Sequence, residues 1–212
     1  MMEIVCWRHP PLAGAEGLCI GSLDWPVDAR RARRLADRIA RSARRLAAAP
    51  QVLVSPLARC RAVGEALARR GWRVTVDARL REIDFGRWEG WRWGDIDRAE
   101  FARWEDDFLR AAPGGGEPVG ALLARVAEFV DEHAGQRLIV VTHGGVISAL
   151  QALASGAYDA ARWPPPCGPA RYLRIAFPPC ASAAQPPPDA HATRPEATDP
   201  TSLRAPATSP PP

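Results

Sequence analysis

Five short apolar runs constrain this chain more than any other feature: Glu3 to Trp7, Gln51 to Val54, Arg73 to Val76, Arg137 to Val141 and Tyr172 to Phe177. Each is long enough for a strand and too short for a buried helix. The intervening segments carry helical spacing. Asp28 stands as an N-cap before a helix predicted to run to Ala49, with Leu35, Ile39, Ala43 and Leu46 on one stripe. Ser55-Pro56 predicts a second helix, with Ser55 as its cap, Pro56 at its first position and Gly71 at its end. Residues 96–110 read as a helical excursion and Val119 to His133 as a helix, and a further helix runs from His143 to about Ala154. Strands alternating with helices predict an α/β three-layer sandwich, a mainly parallel sheet with helices on both faces.

The length of 212 residues fits one domain with an appendage. Residues 1–178 are expected to form the domain. In the remainder, 179–212, proline is dense and large apolar side chains are almost absent. Such a segment cannot bury enough surface to offset its ordering entropy, so it reads as a disordered tail without a catalytic role. No run approaches the roughly 18–20 apolar residues of a membrane span. The start, Met1 to Val5, moves straight into a strand-like run with no basic lead before it, so a cytoplasmic location and no membrane partner are expected. All 28 basic residues are arginine, and the net charge of +4 favours anionic ligands only weakly. The five cysteines are odd in number and widely spaced, without a C-x-x-C, which argues against structural zinc and a disulfide framework. No metal or cofactor is expected.

Three polar elements directly follow strand candidates: Arg8-His9, Ser55-Pro56-Leu57-Ala58-Arg59 and His143-Gly144-Gly145. Ligands of open α/β sheets bind outside the carboxyl ends of the strands. Two histidines and two arginines could therefore converge on one crevice, where helix N-termini add N–H donors. Guanidinium groups suit a phosphate there, because the planar fork donates paired hydrogen bonds and stays charged. Taken singly, Arg8 reads as a surface charge, His9 as a satisfied polar residue and His143 as part of a strand-to-helix turn. Of the other histidines, His133 reads as a solvent-facing helix cap and His191 as inert in the tail.

The ordered set of motifs resembles the histidine phosphatase superfamily, with its phosphoglycerate mutase-like fold. It comprises Arg8-His9, Gly21-Ser22-Leu23-Asp24-Trp25-Pro26, Ser55 to Arg59, Leu80 to Gly90, Gly116-Glu117 and Thr142-His143-Gly144-Gly145. The resemblance covers about the first 178 residues. It implies that His9 is the nucleophile and that Arg8, Arg59 and His143 bind phosphate oxygens. Glu82 would be the general acid and then the base, with a pKa raised enough to donate near neutral pH. Substrate contact falls to Arg8, Arg59, His143, Ser22 and Gly144. Asp84 and Glu89 are the competing carboxylates, Arg81 and Arg87 would pair with Glu82 if it were a surface residue, and Glu117 either closes over the site or belongs to the loop surface. Pro10 departs from the family's usual glycine and removes one backbone N–H beside the phosphate.

The short stretch between Gly90 and Gly116 resembles the hydrolases rather than the mutases of this fold. Leu18 to Asp24, Glu82 to Gly90 and the tryptophan-rich run after it resemble the α-ribazole phosphatase branch, which implies α-ribazole 5′-phosphate, a small-molecule phosphate ester, as substrate. Trp88, Trp91, Trp93 and Trp104 would either stack on its base or pack a lid and core. Alternatives are a broad phosphomonoesterase, a mutase-like enzyme and a phosphate-binding protein without catalysis. Eight arginines between Arg30 and Arg45 raise nucleic-acid binding as another reading, although a solvated helix face accounts for them equally and no nucleic-acid partner is expected.

Overall fold

The computed structural model describes residues 1–43 and 51–178. Leu46, the end of the first predicted helix and the 179–212 tail with Cys180 and His191 lie outside the described residues. The elements are β1 (Met2–Arg8), α1 (Ala29–Ala43), β2 (Gln51–Val54), α2 (Ala58–Ala68), β3 (Val74–Val76), α3 (Arg98–Asp106), α4 (Val119–Glu132), β4 (Arg137–Thr142), α5 (Gly144–Ser155) and β5 (Tyr172–Phe177). The sheet order is β3-β2-β4-β1-β5. The β1–β4, β2–β4 and β2–β3 pairs are parallel, and β5 adds an antiparallel edge to β1.

Alternation along the strands builds two cores. Ile4, Cys6, Leu53, Leu138 and Val140 face α4 and α5. Val5, Trp7, Val52, Val54, Ile139 and Val141 face α1 and α2. The strands are apolar on both faces because helices cover both, as a parallel sheet requires. The stripe predicted for α1 is the buried one, with Leu35, Ile39 and Ala43 inside. Its arginines are not all idle in solvent: Arg38 lies over the Trp7 ring and Arg31 donates to the Pro11 carbonyl. Among the described residues no helix is long and apolar enough to cross a membrane.

Two local expectations are corrected. Ser55 does not cap α2, which begins three residues later at Ala58. The Ala58 N–H instead donates to Asp24 across 2.7 Å, so a carboxylate from a distant loop serves the helix end. His133 does not face solvent. It is buried, with its ring against Phe129 and Nδ1 2.9 Å from the Phe129 carbonyl.

Ile39 is fully buried between α1 and the sheet, whereas Arg34 on the same helix is exposed. Ile39→Ala is expected to lower the stability measured by urea unfolding by about 2–5 kcal/mol. Arg34→Ala is expected to change it by less than about 0.5 kcal/mol.

Candidate active site

The carboxyl ends of β1, β4 and β2 lie side by side, and the ladder continues one residue past each. The His9 N–H donates to the Thr142 carbonyl and the Ser55 N–H to the Val141 carbonyl, both across 3.0 Å. Sheet pairing alone therefore brings His9, His143 and Ser55 to one edge. The rings of His9 and His143 have centroids 5.2 Å apart.

His9 Nδ1 lies 2.7 Å from the Pro10 carbonyl. That contact requires Nδ1 to carry the proton, which leaves the Nε2 lone pair free. Pro10 lacks an N–H but keeps the carbonyl that orients the imidazole. Burial, reinforced by the charges of Arg59 and Arg8, holds the His9 pKa down at about 3. The ring is neutral at physiological pH and available as a nucleophile.

Arg59 is almost wholly buried. Its Nε donates to His143 Nδ1 across 3.1 Å, and its Nη atoms donate to the carbonyls of Leu23 and Gly21. His143 Nε2 is 2.7 Å from Ser55 Oγ. With Nδ1 accepting from Arg59, Nε2 carries the proton and His143 is neutral. Burial, with the adjacent Arg59 and His9, keeps its pKa well below the ordinary imidazole value. Sequence reasoning placed Ser55 at a helix start and missed this role. Its only signal was a hydroxyl directly after a strand, on the segment that carries Arg59.

Arg8 donates from Nη1 to the Cys167 carbonyl across 3.1 Å, while its buried Nε has no partner among the described residues. Gly144 starts α5 beside it: a Cβ there would stand 3.3 Å from Arg8 Cζ. Glu82 is buried, accepting N–H bonds from Gly145 and Ile83 across 3.1 Å each. Burial raises its pKa despite those two donors and the nearby arginines. A Cβ at Gly145 would approach Glu82 Oε1 to 2.5 Å, so glycine at 145 permits the carboxyl to sit where it does. Glu82 pairs with neither Arg81 nor Arg87, and Arg87 instead pairs with Glu100.

Arg8, His9, Glu82 and Gly144 line one cavity of about 430 Å³, whereas Arg59 and His143 are buried and are not among its wall residues. Ser22 is not brought to this cavity. Its N–H and hydroxyl both donate to Glu89, which also accepts from the N–H groups of Gly21, Leu23 and Phe85. Glu89 therefore organises the 21–23 loop, Asp84 accepts from the Gly86 N–H, and Glu117 forms a paired contact with Arg125. Of the four tryptophans named from sequence, only Trp93 lines the cavity. Trp88 and Trp104 pack with Phe101, and Trp91 is exposed. Trp163, in the loop before β5, is a wall residue that sequence reasoning did not name.

The chain belongs to the histidine phosphatase superfamily (branch 1), which it matches over residues 4–184. A glucosyl-3-phosphoglycerate phosphatase from Mycolicibacterium vanbaalenii is 36% identical over 124 residues, which is 50% of this chain and 54% of that protein. The chain thus matches about half the length of this curated relative. The structure of a mycobacterial glucosyl-3-phosphoglycerate phosphatase is similar with a TM-score of 0.67 at 27% identity, covering 81% of this chain and 88% of that one. The α-ribazole phosphatase of Shigella flexneri gives a TM-score of 0.68 at 25% identity, covering 82% and 90%.

The depressed His9 pKa has a consequence for stability. An unfolded imidazole titrates near 6.5. Below that pH the unfolded chain takes up a proton that the native ring refuses until about pH 3, so native stability falls across this window. In His9→Gln part of this loss disappears. The drop in Tm between pH 6.5 and pH 4 is expected to be smaller in the variant than in the parent protein by differential scanning fluorimetry.

Proposed function

We propose that the protein is a phosphomonoesterase working through a phosphohistidine at His9, with α-ribazole 5′-phosphate as its substrate. The observation that carries this reading is the neutral His9 imidazole, its Nε2 free, in the same cavity as the unpartnered Arg8 Nε and the buried Glu82. His9 Nε2 attacks phosphorus as the ester P–O bond breaks. The leaving oxygen takes the proton of Glu82, and the alcohol departs. The Glu82 carboxylate then accepts a proton from water, whose oxygen attacks phosphorus and releases His9 and inorganic phosphate. Arg8 and Arg59 stabilise the phosphoryl charge from fixed positions. Phosphoryl transfer asks mainly for such positioning and charge stabilisation. His143, with both nitrogens held by Arg59 and Ser55, acts first by fixing Arg59.

The choice of substrate draws on two observations. The Shigella α-ribazole phosphatase is among the similar structures. The cavity walls that would meet the leaving group are aromatic and apolar, including Phe85, Trp93, Trp163 and Leu18, which suits a planar base better than a polyhydroxylated sugar. A broad phosphomonoesterase is the second reading, favoured by the relative of different substrate name.

A phosphate-release panel containing α-ribazole 5′-phosphate, 3-phosphoglycerate and p-nitrophenyl phosphate, run in EDTA, tests both levels. The expected order places α-ribazole 5′-phosphate first by kcat/KM. His9→Ala should abolish turnover, and a fully active variant overturns the mechanism. Glu82→Gln should lower kcat about 10²–10⁴-fold on the ribose ester, the range of general acid–base help. The loss should be smaller on p-nitrophenyl phosphate, whose leaving group needs less protonation. Because Glu82 must start protonated, kcat/KM should fall as pH rises through its elevated pKa.

A further inference from the structure

The cavity's charges are unevenly placed. Arg8 is the one arginine in its wall among the described residues. Apart from Arg8, His9 and Glu82, the only ionisable residue in that wall among the described residues is Glu16, in the loop between β1 and α1. Glu16 is exposed, and its carboxylate makes no hydrogen bond or ion pair among the described residues. Arg92 comes near the same loop, its Nη1 3.9 Å from the place of a Gly17 Cβ, but it is not part of the cavity wall. Trp163 and the run Pro164-Pro165-Pro166 also line the cavity, and the fixed φ angles of the prolines give a stiff face with no charge to offer.

We infer that Glu16 sets substrate choice by rejecting esters whose leaving group carries a second negative charge. The inference rests on the phosphatase reading above. Once the phosphoryl group occupies Arg8, no cation of the cavity wall among the described residues remains for a carboxylate on the leaving group. Such a carboxylate instead enters a cavity with low-dielectric walls and a free carboxylate at their edge, where like charges cost binding energy. An uncharged leaving group of the same size meets no such opposition. This selection runs against glycerate-type esters even though a glucosyl-3-phosphoglycerate phosphatase is a relative by sequence.

Glycerol 3-phosphate and 3-phosphoglycerate are a near-isosteric pair that differ by that one charge. Each is measured by kcat/KM or, where turnover is slow, by competitive Ki against p-nitrophenyl phosphate. The parent protein should favour glycerol 3-phosphate at least about fivefold in 0.05 M salt, and the preference should shrink at 0.5 M salt. Glu16→Gln should narrow the preference about five- to tenfold by improving 3-phosphoglycerate alone, as expected for removing one like charge at partly solvated range. Absence of a preference in the parent protein, or equal changes for both esters in Glu16→Gln, overturns the inference. His9→Ala separates the two levels. If it still hydrolyses p-nitrophenyl phosphate at the parental rate, the phosphatase reading fails; if it is inactive while Glu16→Gln leaves the preference unchanged, only the role of Glu16 fails.

Discussion

The site depends on one buried guanidinium. Arg59 is 1% exposed, and among the described residues its nitrogens donate to a ring nitrogen and two carbonyls, neutral partners that replace its water. It donates to a ring nitrogen of His143 after β4 and to the carbonyls of Gly21 and Leu23 in the loop before α1. A cation taken out of water is costly unless its donors are met. Two chain segments, the turn after β4 and the loop before α1, are therefore held where those acceptors stand. Glu89 fixes the same loop from the other side by accepting several of its N–H groups. The loop is ordered because a cation and an anion each use its backbone.

Burial sets the protonation of the reacting groups in the direction the proposed chemistry needs. Taking an ionisable group out of water disfavours its charged form whichever sign that is. His9 is held neutral by a pKa near 3, and the Glu82 pKa is pushed up by the same cause. The proposed nucleophile must be unprotonated and the proposed general acid protonated, and burial at one site prepares both. The two arginines help the first and oppose the second. Desolvation outweighs them at Glu82, and the N–H bonds from Gly145 and Ile83 position its carboxyl without reversing the shift.

Close approach at α5 ties the fold to this arrangement. β4 delivers His143 directly into the helix through two glycines, one against Arg8 and one against Glu82. A side chain at either position would occupy the space that the charged groups use. The turn after β4 is thus both an element boundary and a wall of the site, and the parallel neighbours β1 and β2 supply the rest.

Much of this was legible in the residue order. Five short apolar runs with helical stripes between them determine strands, helices and their alternation, because burial on both faces leaves a two-sided apolar pattern. The placement of Arg8 at the end of β1, of His9 and His143 just beyond strand ends and of Arg59 shortly after β2 followed from the same pattern. The sequence could not show which polar groups answer one another across the fold. Ser55 read as a cap because serine before proline carries a strong local signal, yet the cap is Asp24, far away in the chain, and the Ser55 hydroxyl serves His143. Ser22 read as a ligand, but Glu89 claims it. Local propensity is written in neighbouring residues. Hydrogen-bond partners, burial and the resulting pKa shifts arise from contacts between segments distant in the chain, and only the tertiary structure decides those.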